Sequence, residues 1–186
     1  ISLSILFILL PFAMMKGNTA NGDNLVPADP DDYVVVDWQS IPVEPGKVIG
    51  VIEDDRLVAV LQLPKDLKEL SGIFLEVNSV PHNKLPADLD LAGGVYDFNF
   101  VDEAGNKLSL HGNFILSVFV HNSANKPAMY HHNGNGQWDD HSGNVAQGFV
   151  TAKVNDFSIY GVFEQPETID IEVYKYWEGK KLDSVK

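Results

Sequence analysis

Short apolar runs separated by turn residues recur along most of this chain and restrict the folds it can adopt. Residues 94–101 read GVYDFNFV, so Tyr96, Phe98 and Phe100 alternate with other side chains. A period of two places the three aromatic rings on one side of an extended strand and predicts that the strand is half-buried. Between such runs lie Gly, Asn, Asp and Pro, the residues that turns favour.

The same pattern predicts about ten strands. They lie at residues 33–38, 47–53, 56–63, 73–80, 94–101, 107–110, 114–120, 129–131, 148–154 and 157–163. Two of them flank Asp54-Asp55, which predicts a tight hairpin. Residues 64–70 predict one helical turn, and no long amphipathic helix is present to cover a parallel sheet. The chain is therefore predicted to be all-β and to fold as an antiparallel β-sandwich.

The charge and the cysteine content exclude several partners and chemistries. The 186 residues include 26 acidic and 13 basic side chains, which gives a formal net charge of −13. Nucleic acids and anionic membranes are bound by clustered Lys and Arg, so neither is expected as a partner. Cysteine is absent, which excludes disulfides, thiol nucleophiles and cysteine-ligated metals. No cofactor is predicted.

The N-terminal residues differ from the middle of the chain. Residues 1–15 carry no charge and are short for a membrane-spanning helix of about 20 residues. They predict a signal-peptide remnant at residues 1–20. Residues 21–32 are predicted to form a disordered acidic leader, and residues 33–165 the β-sandwich domain. A signal peptide implies a secreted protein, with no membrane insertion after the signal is cleaved.

Three histidines close together in the sequence raise the question of a metal site. His131 and His132 precede His141, with Asp139 and Asp140 between them. Imidazoles and carboxylates are metal ligands, and a metal-dependent hydrolase would need His131, His141 and a carboxylate to converge. Adjacent residues of a strand point to opposite faces, so His131 and His132 are not expected to share an ion. An exposed turn with incidental histidines is the favoured interpretation, and no metal is predicted.

Two polar loops and two tryptophans are further candidates. Calcium prefers oxygen ligands, which occur at Asp102, Glu103 and Asn106 and again at Asn133, Asn135, Asp139 and Asp140. Neither loop has the spacing of a twelve-residue calcium loop, and turns favour the same residues for backbone reasons. Trp38 and Trp138 could stack on sugar rings, although packing in or beside the core is favoured. No G-x-S-x-G motif surrounds a serine, so no catalytic nucleophile is predicted.

Four segments resemble a known family. They are residues 94–106 (GVYDFNFVDEAGN), 114–121 (FILSVFVH), 129–138 (MYHHNGNGQW) and 148–164 (GFVTAKVNDFSIYGVFE). Together they are similar to ZU5-like surface modules of Gram-positive extracellular proteins, which close with an F-S-x-Y strand. Asn155-Asp156 departs from the residues that the family commonly has before Phe-Ser. The resemblance implies a sandwich of the immunoglobulin-like or ZU5-like kind.

The last residues carry a second resemblance. Residues 171–177 (IEVYKYW) are similar to the first strand of a Cna protein B-type repeat. Residues 166–186 are therefore expected to be a linker and the start of a truncated repeat. The resemblance implies that the strand lysine, here Lys175, can form an isopeptide bond to an asparagine, which would lie beyond residue 186. The favoured alternative is an exposed lysine that forms no cross-link.

The two resemblances imply a structural function. We expect a non-catalytic spacer module of a secreted or wall-anchored bacterial surface protein, an adhesin-like stalk. Its partners would then be the neighbouring domains of the same polypeptide. The alternative is an extracellular binding module for a host protein or a glycan. In that case the expected ligand contacts are Trp138, His131 and His141.

Overall fold

The structure is a computed structural model that describes residues 29–67, 71–121 and 124–166. Its strands are β1 (Tyr33–Val35), β2 (Ser40–Pro42), β3 (Val48–Glu53), β4 (Arg56–Gln62), β5 (Ile73–Ser79), β6 (Leu91–Asp102), β7 (Lys107–Leu108), β8 (Phe114–Phe119), β9 (Pro127–His132), β10 (Trp138–Ser142), β11 (Asn144–Ala146), β12 (Phe149–Val154) and β13 (Ile159–Glu164). Short 3-10 turns span Pro30–Asp32 and His82–Lys84. The predicted signal remnant at residues 1–20, part of the predicted helical turn at 64–70, and residues 167–186 with Lys175 lie outside the described residues.

The strands form two open sheets that pack face to face. The first sheet has the order β1-β3-β4-β8-β12-β11. The second has the order β10-β9-β13-β6-β5-β2, with β7 beside β6. Neighbouring strands are antiparallel except β1 and β3, which are parallel. The predicted all-β antiparallel sandwich is confirmed.

The core lies between the sheets and follows from the alternation in the sequence. Tyr96, Phe98 and Phe100 of β6 are 4%, 0% and 1% exposed. Phe157 stands edge-on to Phe100 and Phe114, with ring centroids 4.7 and 4.6 Å away. Full burial of one such apolar side chain stabilises a fold by roughly 1.5–3 kcal/mol. A core of many such residues therefore holds the two sheets together without disulfides.

The outer face of β6 is more buried than predicted. Asn99 and Val101 are 7% and 3% exposed, although the alternation predicts that their side of the strand faces solvent. Lys107 of β7 is the register partner of Val101, and its Nζ lies 3.5 Å from Asp97 Oδ2. The lysine side chain therefore extends along this face from the level of Val101 to that of Asp97.

The first strand is shorter than predicted. It ends at Val35 rather than at residue 38, because Asp37 adopts a left-handed backbone conformation with φ of 58°. Its N–H donates to Val77 O at 2.9 Å, and its carboxylate accepts from Ser79 N at 2.9 Å. These bonds carry the chain from the edge of the first sheet to β2 at the edge of the second.

At the other side edge the chain also passes from one sheet to the other. β10 ends in the second sheet at Ser142 and β11 begins in the first sheet at Asn144, with Gly143 between them. Gly143 has φ of 125°, and a Cβ atom there would lie 2.6 Å from Val150 Cγ1. This crossing therefore requires glycine.

The described chain begins at what we call the upstream pole, where β3 begins and β6 ends. Pro30–Asp32, predicted as the end of a disordered leader, is instead a structured 3-10 turn. Asp32 Oδ1 lies 2.9 Å from the Nζ of Lys47, the residue before β3. At the same pole Phe114, which starts β8, lies with its ring centroid 5.8 Å from that of Phe100 near the end of β6.

The described chain leaves at the opposite, downstream pole, where β6 begins and β8 ends. Gly93 of β6 forms an antiparallel bridge with Val120. The start of β6 therefore lies beside the end of β8, which fixes the relative directions of the strands in the two sheets. β13 runs antiparallel to β6, so it ends where β6 begins. Glu164, its last residue, donates from its N–H to Asp90 O at 2.8 Å.

Candidate functional site

His131 and His141 come together on the inner face of the second sheet, near its β10 edge. His131 of β9 stacks on Tyr160 of β13, with ring centroids 4.6 Å apart and an interplanar angle of 21°. A register shift between Asp140 and Ser142 marks the bulge at His141. The His141 ring stands edge-on to His131 at 5.5 Å and to Tyr160 at 5.9 Å. His141 is exposed, as predicted, but it lies on a strand rather than in a turn.

His131 has a hydrogen-bond partner in the same cluster. Its Nε2 lies 2.8 Å from Ser158 Oγ and 3.9 Å from Asp156 Oδ1. Ser158 Oγ donates to His132 O at 3.3 Å, so the Nε2–H of His131 donates to Ser158. In a catalytic Ser-His-Asp relay the serine and the carboxylate bind opposite ring nitrogens. Here both face Nε2, so the cluster lacks that geometry.

The titration of the cluster follows from its burial. Burial lowers the pKa of His131 below its ordinary value; the carboxylate of Asp156 opposes this shift and the neighbouring His141 adds to it. Burial also raises the pKa of Tyr160, whose hydroxyl donates to Asp156 O at 3.1 Å. At neutral pH the cluster therefore holds a neutral imidazole stacked on a neutral phenol. This arrangement packs the edge of the sheet.

His132 points away from this cluster, as predicted. Its ring packs against Trp138 on the outer face, with centroids 5.3 Å apart. Across residues 29–67, 71–121 and 124–166, no group of three or more His, Asp or Glu side chains is placed to hold a metal ion.

The oxygens of the two loops considered for calcium bind turn N–H groups. Asp102 Oδ2 accepts from Asn106 Nδ2 at 2.9 Å, and its Oδ1 accepts from Asn106 N at 2.8 Å and from Ala104 N at 2.9 Å. These bonds, that of the Asn106 side chain first, lower the pKa of Asp102. Asn133 Oδ1 accepts from Asn135 N at 3.1 Å. Both loops therefore have the geometry of turns in which a side chain binds the following backbone.

The two tryptophans have different surroundings. Trp138 is half-buried, with its ring centroid 5.1 Å from that of Phe163, so it packs beside the core as predicted. Trp38 is 80% exposed, so the predicted packing role is wrong for this residue. The turn that Asp37 and Ser79 fix carries Trp38 outward. Residues 33–38 (YVVVDW) have the pattern of a buried strand. The sequence alone therefore could not predict that Trp38 is exposed.

Ser117 and the acidic pair of the β3–β4 hairpin have local partners or local turn geometry. Ser117 is 1% exposed, and its Oγ lies 2.8 Å from Thr151 Oγ1 of the neighbouring strand. Asp54 and Asp55 form the predicted hairpin, with φ of 49° and 60°, and both are exposed.

An open groove of about 470 Å³ lies at the downstream pole and was not predicted. We call it the downstream groove. Its lining includes Val120, His121, Lys126, Pro127, Val145 and Gln165. These residues come from the ends of β8 and β13, from the start of β9 and from β11. Sequence reasoning missed the groove because it depends on how distant segments meet.

Comparison of the chain with protein-family models, with curated proteins and with solved structures gives no match. The ZU5-like and Cna B-type resemblances therefore stay predictions. Within the described ranges, no helix has the length and apolar character needed to cross a membrane. The fold defines the class of the protein. It is an all-β sandwich in which the chain crosses from one sheet to the other at both side edges.

Proposed function

We propose that this chain is a non-catalytic structural module that spaces the neighbouring parts of a secreted or wall-anchored bacterial surface protein. One observation carries the proposal: the described chain begins at the upstream pole and ends at the downstream pole. A domain joined in this way adds its full length to the polypeptide. A domain whose two ends lie at one pole adds almost none.

The length that one module would add follows from its longest strand. β6 has 12 residues, and at about 3.3 Å per residue it spans roughly 40 Å from pole to pole. Both ends are tied down, since Asp32 pairs with Lys47 and Gln165 N donates to Lys126 O at 2.9 Å. These ties support a module that transmits its orientation to its neighbours.

A distance measurement tests the proposal. Because the chain contains no cysteine, Asp31→Cys with Pro166→Cys gives a specific pair of spin labels at opposite poles. We expect one narrow distance distribution near 40 Å. A second pair, Asp54→Cys with Pro166→Cys, has both labels at the downstream pole and is expected to give a clearly shorter distance. Equal distances for the two pairs would show that the ends do not lie at opposite poles, and the spacer proposal would fail.

The exposure of Trp38 supports a second candidate, a binding module for a host protein or a glycan. Tryptophan is one of the residue types enriched among the side chains that carry most of the binding energy in interfaces. The expectation that Trp138, His131 and His141 contact the ligand stays a prediction, and the exposure of Trp38 adds this residue as a further candidate contact. A glycan array and a panel of host matrix proteins test this function. Binding that Trp38→Ala abolishes and Trp138→Phe preserves would favour it, and absence of binding would leave the spacer.

A further inference from the structure

The loop that joins β9 to β10 contains two consecutive Asn-Gly pairs. Residues 133–136 read NGNG, between the end of β9 at His132 and the start of β10 at Trp138. An asparagine before glycine is chemically labile, because the following backbone nitrogen can attack the side-chain amide and glycine has no Cβ atom to hinder the approach. Two identical pairs on one loop would react alike without the fold, so a difference between them must come from their surroundings.

The fold restrains the first pair. Asn133 is half-buried, its Oδ1 accepts from Asn135 N at 3.1 Å, and its Nδ2 donates to Asp139 Oδ2 at 3.3 Å. The N–H of Gly134, which would be the attacking group, donates to His132 Nδ1 at 3.3 Å. The pair must give up these hydrogen bonds before it can react, which makes the reactive conformer rarer by about tenfold or more.

The second pair has no such restraint. Asn135 is exposed, and over the described ranges no hydrogen bond reaches its side chain or the N–H of Gly136. A Cβ atom at Gly136 would meet no described atom within 4 Å, so open space surrounds the two groups. The side chain of Asn135 is therefore free to rotate until its Cγ faces the nitrogen of Gly136.

We propose that Asn135 is a site of spontaneous deamidation and that the fold protects Asn133 from the same reaction. The Gly136 nitrogen forms a bond to Asn135 Cγ and gives its proton to water, while the Cγ–Nδ2 bond breaks and the amide nitrogen leaves as ammonia. Water then opens the cyclic imide that results. Opening at Cγ yields aspartate and opening at the main-chain carbonyl yields isoaspartate, so the net reaction consumes water and releases ammonia in equal amounts.

The modification would change both the charge and the backbone of the loop. Either product adds a carboxylate just before Trp138, in a chain whose net charge is already −13. Isoaspartate also adds a methylene group to the main chain of the turn and so alters the connection from β9 to β10. Molecules of different age would therefore differ at this loop, a property that does not depend on the spacer function.

Peptide mapping of the full chain by mass spectrometry, after incubation at pH 8, tests the proposal. Replacement of the amide by a carboxyl group raises the mass of the fragment, and its further fragmentation assigns the change to Asn133 or to Asn135. We expect Asn135 to react at least about ten times faster than Asn133 in the folded protein. In a synthetic peptide of residues 129–140, without the restraints of the fold, the two asparagines are expected to react at similar rates.

Two variants connect the rates to the contacts. Asn135→Gln is expected to remove most of the modification at this position, because glutamine must close a larger ring. Asp139→Ala removes an acceptor of Asn133 Nδ2 and is expected to speed the reaction of Asn133 severalfold while leaving that of Asn135 unchanged. Equal rates for the two asparagines in the folded protein would overturn the proposal. A faster Asn133 would overturn it as well, and would indicate that His132 acts as a base on the N–H of Gly134.

Discussion

At the scale of single residues, His131 makes the stability of the sandwich depend on pH. Burial lowers its pKa in the folded protein, whereas an unfolded histidine titrates near pH 6.5. The folded state therefore favours the neutral imidazole. The contribution of His131 is complete above about pH 6.5 and is lost as the pH falls below that value toward the lower folded pKa. Urea unfolding at pH 7.5 and pH 5.5 measures this loss.

The variant His131→Gln separates this residue from every other titrating group. It keeps a side chain that can bind Ser158 but removes the proton equilibrium, so its stability is expected to fall less between the two pH values than that of the wild type. Parallel losses in the two proteins would assign the pH dependence to other groups.

The packing of Tyr33 on β3 depends on a single residue, Gly50. A Cβ atom on Gly50 would lie 2.5 Å from Tyr33 Cδ1, so the phenol ring rests on the backbone of β3. Gly50→Ala is expected to displace the ring and destabilise the fold by about 1–3 kcal/mol. A double-mutant cycle with Tyr33→Ala checks the cause. If the cost of Gly50→Ala is the same when Tyr33 is replaced, the ring is not responsible.

At the scale of elements, the hairpin between β3 and β4 is a place where a substitution is expected to stabilise the fold. Asp54 and Asp55 both adopt the left-handed conformation, which two-residue hairpins usually fill with Asn-Gly or Asp-Gly. Asp55→Gly is expected to raise the free energy of unfolding by roughly 0.5–2 kcal/mol. The measurement is a higher urea midpoint at an unchanged slope. Asp55→Ala is the control: a gain as large as that of glycine would assign the effect to lost charge repulsion rather than to backbone strain.

The elements that the sequence reveals are those whose side chains face the core. The alternation of β6 and the hairpin at Asp54-Asp55 could be predicted because both depend on local pattern. For β10 the sequence predicts only the start, where Gln137-Trp138 follows the turn at residues 133–136, because WDDHS has no apolar alternation and its residues are mostly exposed. It is a strand because its backbone pairs with β9. The sheet changes at Asp37 and Gly143, the histidine cluster and the downstream groove depend likewise on contacts between distant segments.

At the scale of the whole molecule, the two poles determine how a pulling force acts on the strands. Force applied through residues 29 and 166 pulls β1 along its own axis past its parallel neighbour β3. It pulls β13 along its axis between β6 and β9. Both terminal strands are then loaded in shear, so their hydrogen bonds share the force instead of breaking one after another.

Single-molecule pulling through Asp31→Cys and Pro166→Cys is therefore expected to need a clearly higher force than pulling through Asn113→Cys and Asn155→Cys. The second pair lies beside Phe114 and Val154, which are register partners at one end of the antiparallel strands β8 and β12, so the force opens that pair bond by bond. Forced unfolding is governed by the unfolding barrier rather than by equilibrium stability. Any difference between two attachments on the same fold therefore reports the direction of load. Equal forces would mean that neither terminal strand resists in shear, and a stalk built from such modules would yield as easily along its length as when it is peeled.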